Sequence, residues 1–242
     1  MTLIAVCSAK HSPGATTLAL ALVAAWASSG ESPAVLVEAD PAGGDLAARL
    51  GLAFDPGLVT MAASARHANS EVDVAGHAQP LPCGGTAVLG PTNLDQAEAS
   101  VATVASRLSG AVGALGNGVI DCGRWSRNSP SLDVIRSADF TIVVLYPDLT
   151  GVAHFQERQE ALTAAARGRI GLVLVGDRPY GAANVARATG VANVTTIAVD
   201  RDGVDALHGA ASTRAGRKSR LVRSARSILD TIEVAPAEAA LA

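Results

Sequence analysis

Short apolar runs alternate with longer segments of helical character along most of the chain. Seven such runs, each bounded by turn residues, are predicted strands: 3–7, 34–38, 86–89, 118–121, 140–145, 171–175 and 194–199. Most of them are apolar throughout, which is typical of strands covered on both faces of a sheet. The alternation predicts an α/β fold with a mainly parallel, helix-covered sheet of about seven strands.

The segments between these strands have helical periodicity. Six helices are predicted: 16–28, 94–109, 132–137, 151–166, 182–189 and 216–232. Segment 54–85 contains scattered Gly, Pro and His with only a short helical signal at 59–67, so we expect a mobile or partner-facing excursion there. We expect one domain over 1–233 and a flexible tail over 234–242.

Composition narrows the class of protein. Aromatic residues make up only 3% of the chain and apolar residues 49%, so the core must consist of Ala, Val, Leu and Ile. The net charge of -3 argues against binding nucleic acid over the whole surface, although a local basic patch stays possible. Cys7, Cys83 and Cys122 are widely spaced, which predicts buried thiols in a reducing cytosol. No apolar stretch approaches the roughly 20 residues of a membrane-spanning helix, so we expect a cytoplasmic protein without a transmembrane segment.

The stretch 8–17, SAKHSPGATT, lies between the first predicted strand and the first predicted helix. A turn of small residues at this place directs backbone N–H groups and the positive end of a helix dipole at one point, which suits a phosphate. Three residues match the phosphate-loop pattern G-x-x-x-x-G-K-[ST]: Gly14, Thr16 and Thr17. Ala9 stands in place of the first glycine and Ala15 in place of the lysine, while Lys10 is a cation that the pattern does not require.

Two aspartates follow predicted strands. Asp40 comes after the second strand and Asp121 ends the fourth. Because open parallel sheets bind ligands at the carboxyl ends of their strands, both carboxylates are expected near the phosphate loop. Thr16 would ligate Mg²⁺ directly, Asp121 would hold it through water, and Asp40 would orient an attacking water. Each feature alone also fits a bare turn or a helix cap; the combination predicts a site for a nucleoside triphosphate and magnesium.

These motifs resemble the ParA/MinD family of P-loop ATPases, whose deviant loop reads K-G-G-x-G-K-[ST]-T. The corresponding residues are Lys10, His11, Ser12, Pro13, Gly14, Ala15, Thr16 and Thr17, which form a degenerate deviant Walker A loop. Residues 35–51, VLVEADPAGGDLAARLG, are similar to the family's second-strand motif with its switch aspartate, and GVIDCG at 118–123 is similar to its magnesium-side strand. Segment 137–158 resembles the strand and helix that follow, and the similarity spans most of residues 1 to about 230.

The resemblance implies a P-loop NTPase-like three-layer sandwich that binds ATP, ADP or another purine nucleotide with Mg²⁺. All eight loop residues are then expected to bind the nucleotide, and Thr16, Asp40 and Asp121 the metal. In a homodimer, Lys10 would reach the phosphates of the partner subunit's nucleotide and act with Asp40 in catalysis. We expect weak or absent hydrolysis, because Ala15 replaces a cation that is worth on the order of 10²-fold or more in rate.

The base-recognition turn also departs from the family. Where relatives place an asparagine, the chain has Gly176 and Asp177, followed by Arg178. Asp177 is expected to accept a hydrogen bond from an exocyclic amine, and Arg178 to stack on the base. A plain surface turn fits these residues equally well.

The last predicted helix is strongly basic on one face. Its arginines before the first acidic residue are Arg217, Arg220, Arg223 and Arg226. Such a face suits DNA or an anionic membrane. The favoured interpretation is a closing helix that packs its apolar stripe on the sheet and leaves its arginines in solvent.

The function implied by the resemblance is nucleotide-dependent dimerisation and partner binding. Members of this kind position or regulate machinery such as pilus, secretion, division or partition systems, and a partner recruits them to the membrane or the cell pole. Two alternatives stay open: a scaffold that keeps the fold and binds no nucleotide, and a DNA-partitioning ATPase that uses the basic last helix.

Overall fold

The computed structural model describes residues 1–10, 13–30, 34–66, 71–167, 169–209, 216 and 218–239. Within these residues the strands form one eight-stranded sheet in the order β3-β4-β2-β5-β1-β6-β7-β8. The strands are β1 Leu3–Ser8, β2 Ala34–Glu38, β3 Gln79–Pro80, β4 Thr86–Val88, β5 Asn117–Arg124, β6 Phe140–Leu145, β7 Ile170–Val175 and β8 Val194–Ile197. All neighbours pair in parallel except β3 and β4, which are antiparallel.

Helices connect the strands. The described ones are α1 Ala15–Ser29, α2 Leu46–Leu50, α3 Leu58–Ala65, α4 Val74–His77, α5 Leu94–Gly113, α6 Leu132–Ser137, α7 Leu149–Ala165, α8 Ala182–Thr189, α9 Arg201–Leu207 and α10 Arg220–Ala239. The predicted α/β class and the mainly parallel sheet are confirmed. The strand that the sequence does not predict, β3, is two residues long and too short to carry a periodic signal.

Both faces of the sheet are covered, as the continuous apolar runs predict. In β1, Leu3, Ala5 and Cys7 belong to one buried cluster, with side chains of α3, α5, α6 and α7. The alternate residues Ile4 and Val6 belong to the other cluster, with α1 and α10. The sheet is therefore the middle layer of three, and β1, which carries the candidate phosphate loop, runs through its centre.

Segment 54–85 corrects one prediction within its described residues, 54–66 and 71–85; residues 67–70, with the end of the predicted helical signal, lie outside the described part. The segment contains α3, α4 and β3, and the side chains of Leu58 and Met61 are fully buried against the sheet. Since α3 packs on α5, the segment contributes to the core instead of forming a mobile or partner-facing excursion. Its irregular composition reflects short elements, such as α4, whose start Asp73 caps by accepting the N–H of Gly76 at 2.8 Å.

The last helix, α10, packs its apolar stripe inward, in agreement with the favoured interpretation. Leu221, Val222, Ala225, Ile228, Leu229 and Ile232 are buried in the cluster that contains α1. Arg220 and Arg223 are exposed, and Arg226 pairs with Asp230 at 3.3 Å. The helix starts four residues after the predicted start and includes 234–239, which the sequence assigns to a tail. Arg217 lies outside the described residues.

Across the described ranges, none of the helices has the combination of length and apolarity that crossing a membrane requires.

Candidate functional site

The loop after β1 leads into an open helix start. Gly14 is the N-cap residue of α1 and has φ +103°, a left-handed conformation that favours glycine. Among the described residues no side chain caps α1, and its first turn carries no acidic residue. Unpaired N–H groups at such a helix start bind anions. His11 and Ser12, two of the predicted nucleotide-binding residues, lie outside the described residues.

A cavity of about 540 Å³, which we call the polar cavity, opens beside this helix start. Its walls are the first turn of α1, the loop after β2, the start of α5 and the loop after β5. The charged side chains that line it are Asp40, Asp45, Arg49, Glu98 and Arg124. Ala15, Thr16 and Thr17 line the same cavity, so the structure brings the predicted phosphate loop and Asp40 together.

Asp121 lies fully buried near the end of β5. Its Oδ1 accepts the N–H of Gly123 at 3.0 Å, whereas its Oδ2 is buried and has no partner in the described part of the chain. Burial raises the pKa of Asp121 to about 7, although the hydroxyl of Thr16 and the Gly123 N–H oppose this rise. The charges of the Glu38 and Asp40 carboxylates contribute, after burial, to this raised pKa. A cation beside Asp121 and Thr16 would relieve this accumulation of negative charge.

Asp40 lies two residues after β2, the neighbour of β5 in the sheet, and packs directly on Gly123. A Cβ atom at Gly123 would overlap the Asp40 carboxyl group, and Gly123 has φ +61°, so both the space and the backbone require glycine. Asp40 Oδ1 accepts the N–H of Ala42 at 2.8 Å. Burial raises the pKa of Asp40, while this hydrogen bond and the charge of Arg124 lower it.

Glu38 is a site residue that the sequence patterns do not predict. Its side chain is buried, and its carboxylate accepts the N–H groups of Asp45 at 2.7 Å, Leu46 at 2.9 Å and Gly90 at 2.9 Å. Burial raises its pKa, and the three N–H donors oppose the rise. Glu38 thus joins the loop after β2 to the loop after β4. The signal for it is a charged residue inside the apolar run AVLVE.

A second cavity of about 300 Å³, which we call the apolar cavity, lies on the other side of the loop. Aliphatic side chains dominate its walls and come from α1, three strand ends, α9 and α10: Leu18, Val144, Val175, Ile197, Val204 and Leu221. Gly14 and Thr17 line both cavities. A ligand with an apolar part and an anionic part could therefore lie across Gly14 with one part in each cavity.

The predicted base-recognition residues do not line the apolar cavity. Asp177 and Arg178 are exposed on the turn after β7 and line neither cavity. The wall is formed instead by Val175 and by residues 197–201, at and after the end of β8. Lys10 is also exposed and lines neither cavity.

The oxygen atoms present fit a magnesium ion that arrives with phosphate. Thr16, Asp40 and Asp121 offer hard oxygen donors, which Mg²⁺ prefers. Among the described residues there is no group of three or more His, Cys, Asp or Glu side chains that could hold a metal by itself. Phosphate oxygens and water would therefore complete the coordination, as is usual for Mg²⁺.

At the level of sequence, no protein-family model and no curated protein matches the chain. The fold does match solved structures. A ParA family ATPase from Chlorobium tepidum superposes with a TM-score of 0.78 at 15% identity, over 93% of this chain and 97% of that chain. The cell division ATPase MinD from Pyrococcus furiosus gives 0.75 at 16%, over 96% and 99%. MinD from Pyrococcus horikoshii, in complex with Mg-ADP, gives 0.67 at 15%, over 96% and 95%.

These matches cover nearly the whole chain and confirm the predicted fold. The chain has the three-layer P-loop architecture of the ParA and MinD ATPases.

Proposed function

We propose that this chain, which has the ParA/MinD fold, binds a purine nucleotide together with Mg²⁺ and acts through nucleotide-dependent dimerisation and partner binding. The observation that carries the proposal is the buried Oδ2 atom of Asp121, which has no partner among the described residues and lies near Thr16 at an open helix start. Buried polar atoms without partners are rare in folded proteins. A magnesium ion bound with phosphate supplies the missing positive charge.

The two cavities support one orientation of the nucleotide. The phosphates and Mg²⁺ occupy the polar cavity beside Thr16, and the nucleoside occupies the apolar cavity beside Leu18 and Val204. Gly14 separates the two parts, where its lack of a side chain lets a phosphate approach the backbone. The MinD structure with Mg-ADP supports ATP or ADP and Mg²⁺ as the ligands of this fold.

Hydrolysis is weak or absent in this proposal. Asp40 lines the polar cavity and would orient water there, but Ala15 lines the same cavity where the related loop carries a lysine. Lys10 reaches the phosphates bound by a second copy of the chain in a homodimer. Its exposure, together with its position outside both cavities, supports a contact with another molecule.

The cellular role follows from the resemblance. The protein resides in the cytoplasm and positions or regulates pilus, secretion, division or partition machinery, to which a protein partner recruits it at the membrane or pole. The exposed Arg220 and Arg223 favour a second candidate, a partition protein that holds DNA on α10.

Thermal unfolding tests nucleotide binding. Millimolar Mg-ATP or Mg-ADP should raise the Tm by several degrees, and EDTA should remove most of the rise. Thr16→Val removes the metal-facing hydroxyl at nearly constant volume and should abolish the magnesium-dependent part. Thr163→Val, at an equally half-buried position on α7, is the matched control. A Tm that is unchanged by ATP, ADP and GTP would leave the scaffold as the function.

A further inference from the structure

The polar cavity has an unusual charge balance for a phosphate site. Its lining includes three carboxylates, Asp40, Asp45 and Glu98, and two cations, Arg49 and Arg124. With Ala15 at the lysine position, α1 contributes no positive side chain to this cavity. A triphosphate that enters it meets repulsion from the carboxylates, so the nearby cations decide whether it stays.

Arg49 is engaged at the rim. Its guanidinium pairs with Asp45 at 2.7 Å, and both side chains are largely exposed. The pair neutralises itself and is screened by solvent. It therefore adds little net positive potential inside the cavity.

Arg124 is also exposed and also has an interaction within the chain, so what distinguishes it is its position relative to the phosphate loop. It is the last residue of β5, directly after Gly123, and the β1–β5 pairing places it opposite Ser8 at the start of the phosphate loop. The N–H of Trp125 donates to the carbonyl of Ser8 at 2.9 Å, which fixes the backbone there. The side chain of Arg124 lines the same cavity as Ala15.

The charge of Arg124 acts at the end of the cavity where the terminal phosphate would lie. Arg124 directly follows Gly123, on which the carboxyl group of Asp40 packs, and Asp40 is the carboxylate expected to orient the attacking water. The nucleoside end lies on the far side of Gly14, in the apolar cavity. In a bound nucleoside triphosphate, Arg124 would thus lie near the terminal phosphate and far from the phosphate that is attached to the nucleoside.

We propose that Arg124 supplies from the loop after β5 the cation that the phosphate loop lacks, and that it makes the site selective for nucleoside triphosphate over diphosphate. The inference rests on the proposed nucleotide binding. An arginine suits this task because its planar guanidinium binds phosphate oxygens in pairs and stays charged at all physiological pH values. A lysine within the loop would instead be held next to the α1 backbone.

Calorimetric titration with Mg-AMPPNP and Mg-ADP tests the proposal. Arg124→Gln should weaken triphosphate binding by about 10-fold or more and diphosphate binding by less than about 3-fold, since an ionic hydrogen bond to phosphate is lost in one complex only. Arg124→Lys should fall between. The matched control is Arg127→Gln, an exposed arginine of the same loop that does not line the cavity.

A charge-relocation variant strengthens the test. Adding Ala15→Lys to Arg124→Gln returns a cation to the cavity and should restore triphosphate affinity to within about 3-fold of the wild type. Equal weakening of both nucleotides by Arg124→Gln, or no weakening, would overturn the assignment while nucleotide binding itself stands. A wild type that binds neither nucleotide would overturn the proposed function and this inference together.

Discussion

The polar and apolar cavities share Gly14 and Thr17 but are built in opposite ways. Around the polar cavity, charged side chains and backbone N–H groups are held by specific hydrogen bonds, such as those to Asp40 and Glu38. Around the apolar cavity, aliphatic side chains from three strand ends and three helices supply most of the surface, although Asp200, Arg201 and Asp205 also line it. Affinity on the polar side therefore depends on individual groups, whereas affinity on the apolar side depends on area and shape.

This difference explains why the replacement at Ala15 affects the two sides unequally. Loss of a lysine changes the charge of the polar cavity and leaves the apolar walls intact. The site is thus expected to bind the nucleoside part as before, while hydrolysis of the nucleotide is weakened. Three experiments test this division, beginning with the largest expected effect.

The largest effect is expected at Asp121. Its pKa of about 7 in the fold exceeds the unfolded value of about 4, so the folded state favours the protonated carboxyl. Its contribution to stability is fully present below about pH 4 and is lost as the pH rises to about 7. Asp121→Asn removes this loss, and the metal-free variant should be more stable than the wild type at pH 8 by up to about 4 kcal/mol.

Urea unfolding of both proteins at pH 5 and pH 8 in EDTA measures this difference. The Asn side chain can still accept the N–H of Gly123, so the local hydrogen bond survives. The same variant should lose its thermal response to Mg-nucleotide. If the free energy of unfolding depends on pH in the same way in wild type and variant, the raised pKa of Asp121 is not the cause of the loss of stability.

An effect of intermediate size is expected from Ala15→Lys. Ala15 lines the polar cavity, so a lysine there can extend into space that already exists. ATP turnover should rise by about 100-fold or more, because one positioned cation stabilises the transferring phosphate by roughly 3 kcal/mol. Phosphate release under single-turnover conditions is the measurement. Asp40→Asn in the lysine background should return the rate to the wild-type level; a rate that stays high would remove Asp40 from the chemistry.

The smallest effect is expected on the apolar side. Val204→Trp fills part of the apolar cavity and should weaken Mg-ATP by about 10-fold, the scale of one lost apolar contact surface. Inorganic tripolyphosphate, which needs only the polar cavity, should bind as before. Competition titrations with both ligands measure the ratio. Equal losses for both would mean that the two cavities are not independent parts of one site.

The sequence predicts the ends of β1, β2, β4, β6 and β7 to within one residue, and with them the meeting of the phosphate loop and Asp40. The predicted strand end at Asp121 is wrong, because β5 continues to Arg124 and Asp121 lies within the strand. Strands buried on both faces are continuous apolar runs, so their ends are marked by the first polar residues. The roles of Glu38 and Arg124 could not be found in this way. They depend on contacts between distant segments, such as Glu38 with Gly90, and on the pairing of β1 with β5.

The lining of the apolar cavity could not be predicted from sequence patterns, for the same reason. Leu18, Val175 and Val204 are ordinary core-like residues in the sequence, and only the fold places them around one space. The base turn at Asp177 and Arg178 is expected from resemblance, yet these side chains lie outside that wall. A resemblance transfers positions along a chain more reliably than it transfers the direction of individual side chains.

The three hydrogen bonds of Glu38 also have a mechanical consequence. One buried carboxylate accepts the N–H groups of Asp45, Leu46 and Gly90, so it ties the loop after β2 to the loop after β4. Moving one of these loops without the other would break hydrogen bonds to a carboxylate, which are worth about 1.5–3 kcal/mol each. The two loops are therefore expected to move together, so that a displacement of the loop after β2 also displaces the loop after β4.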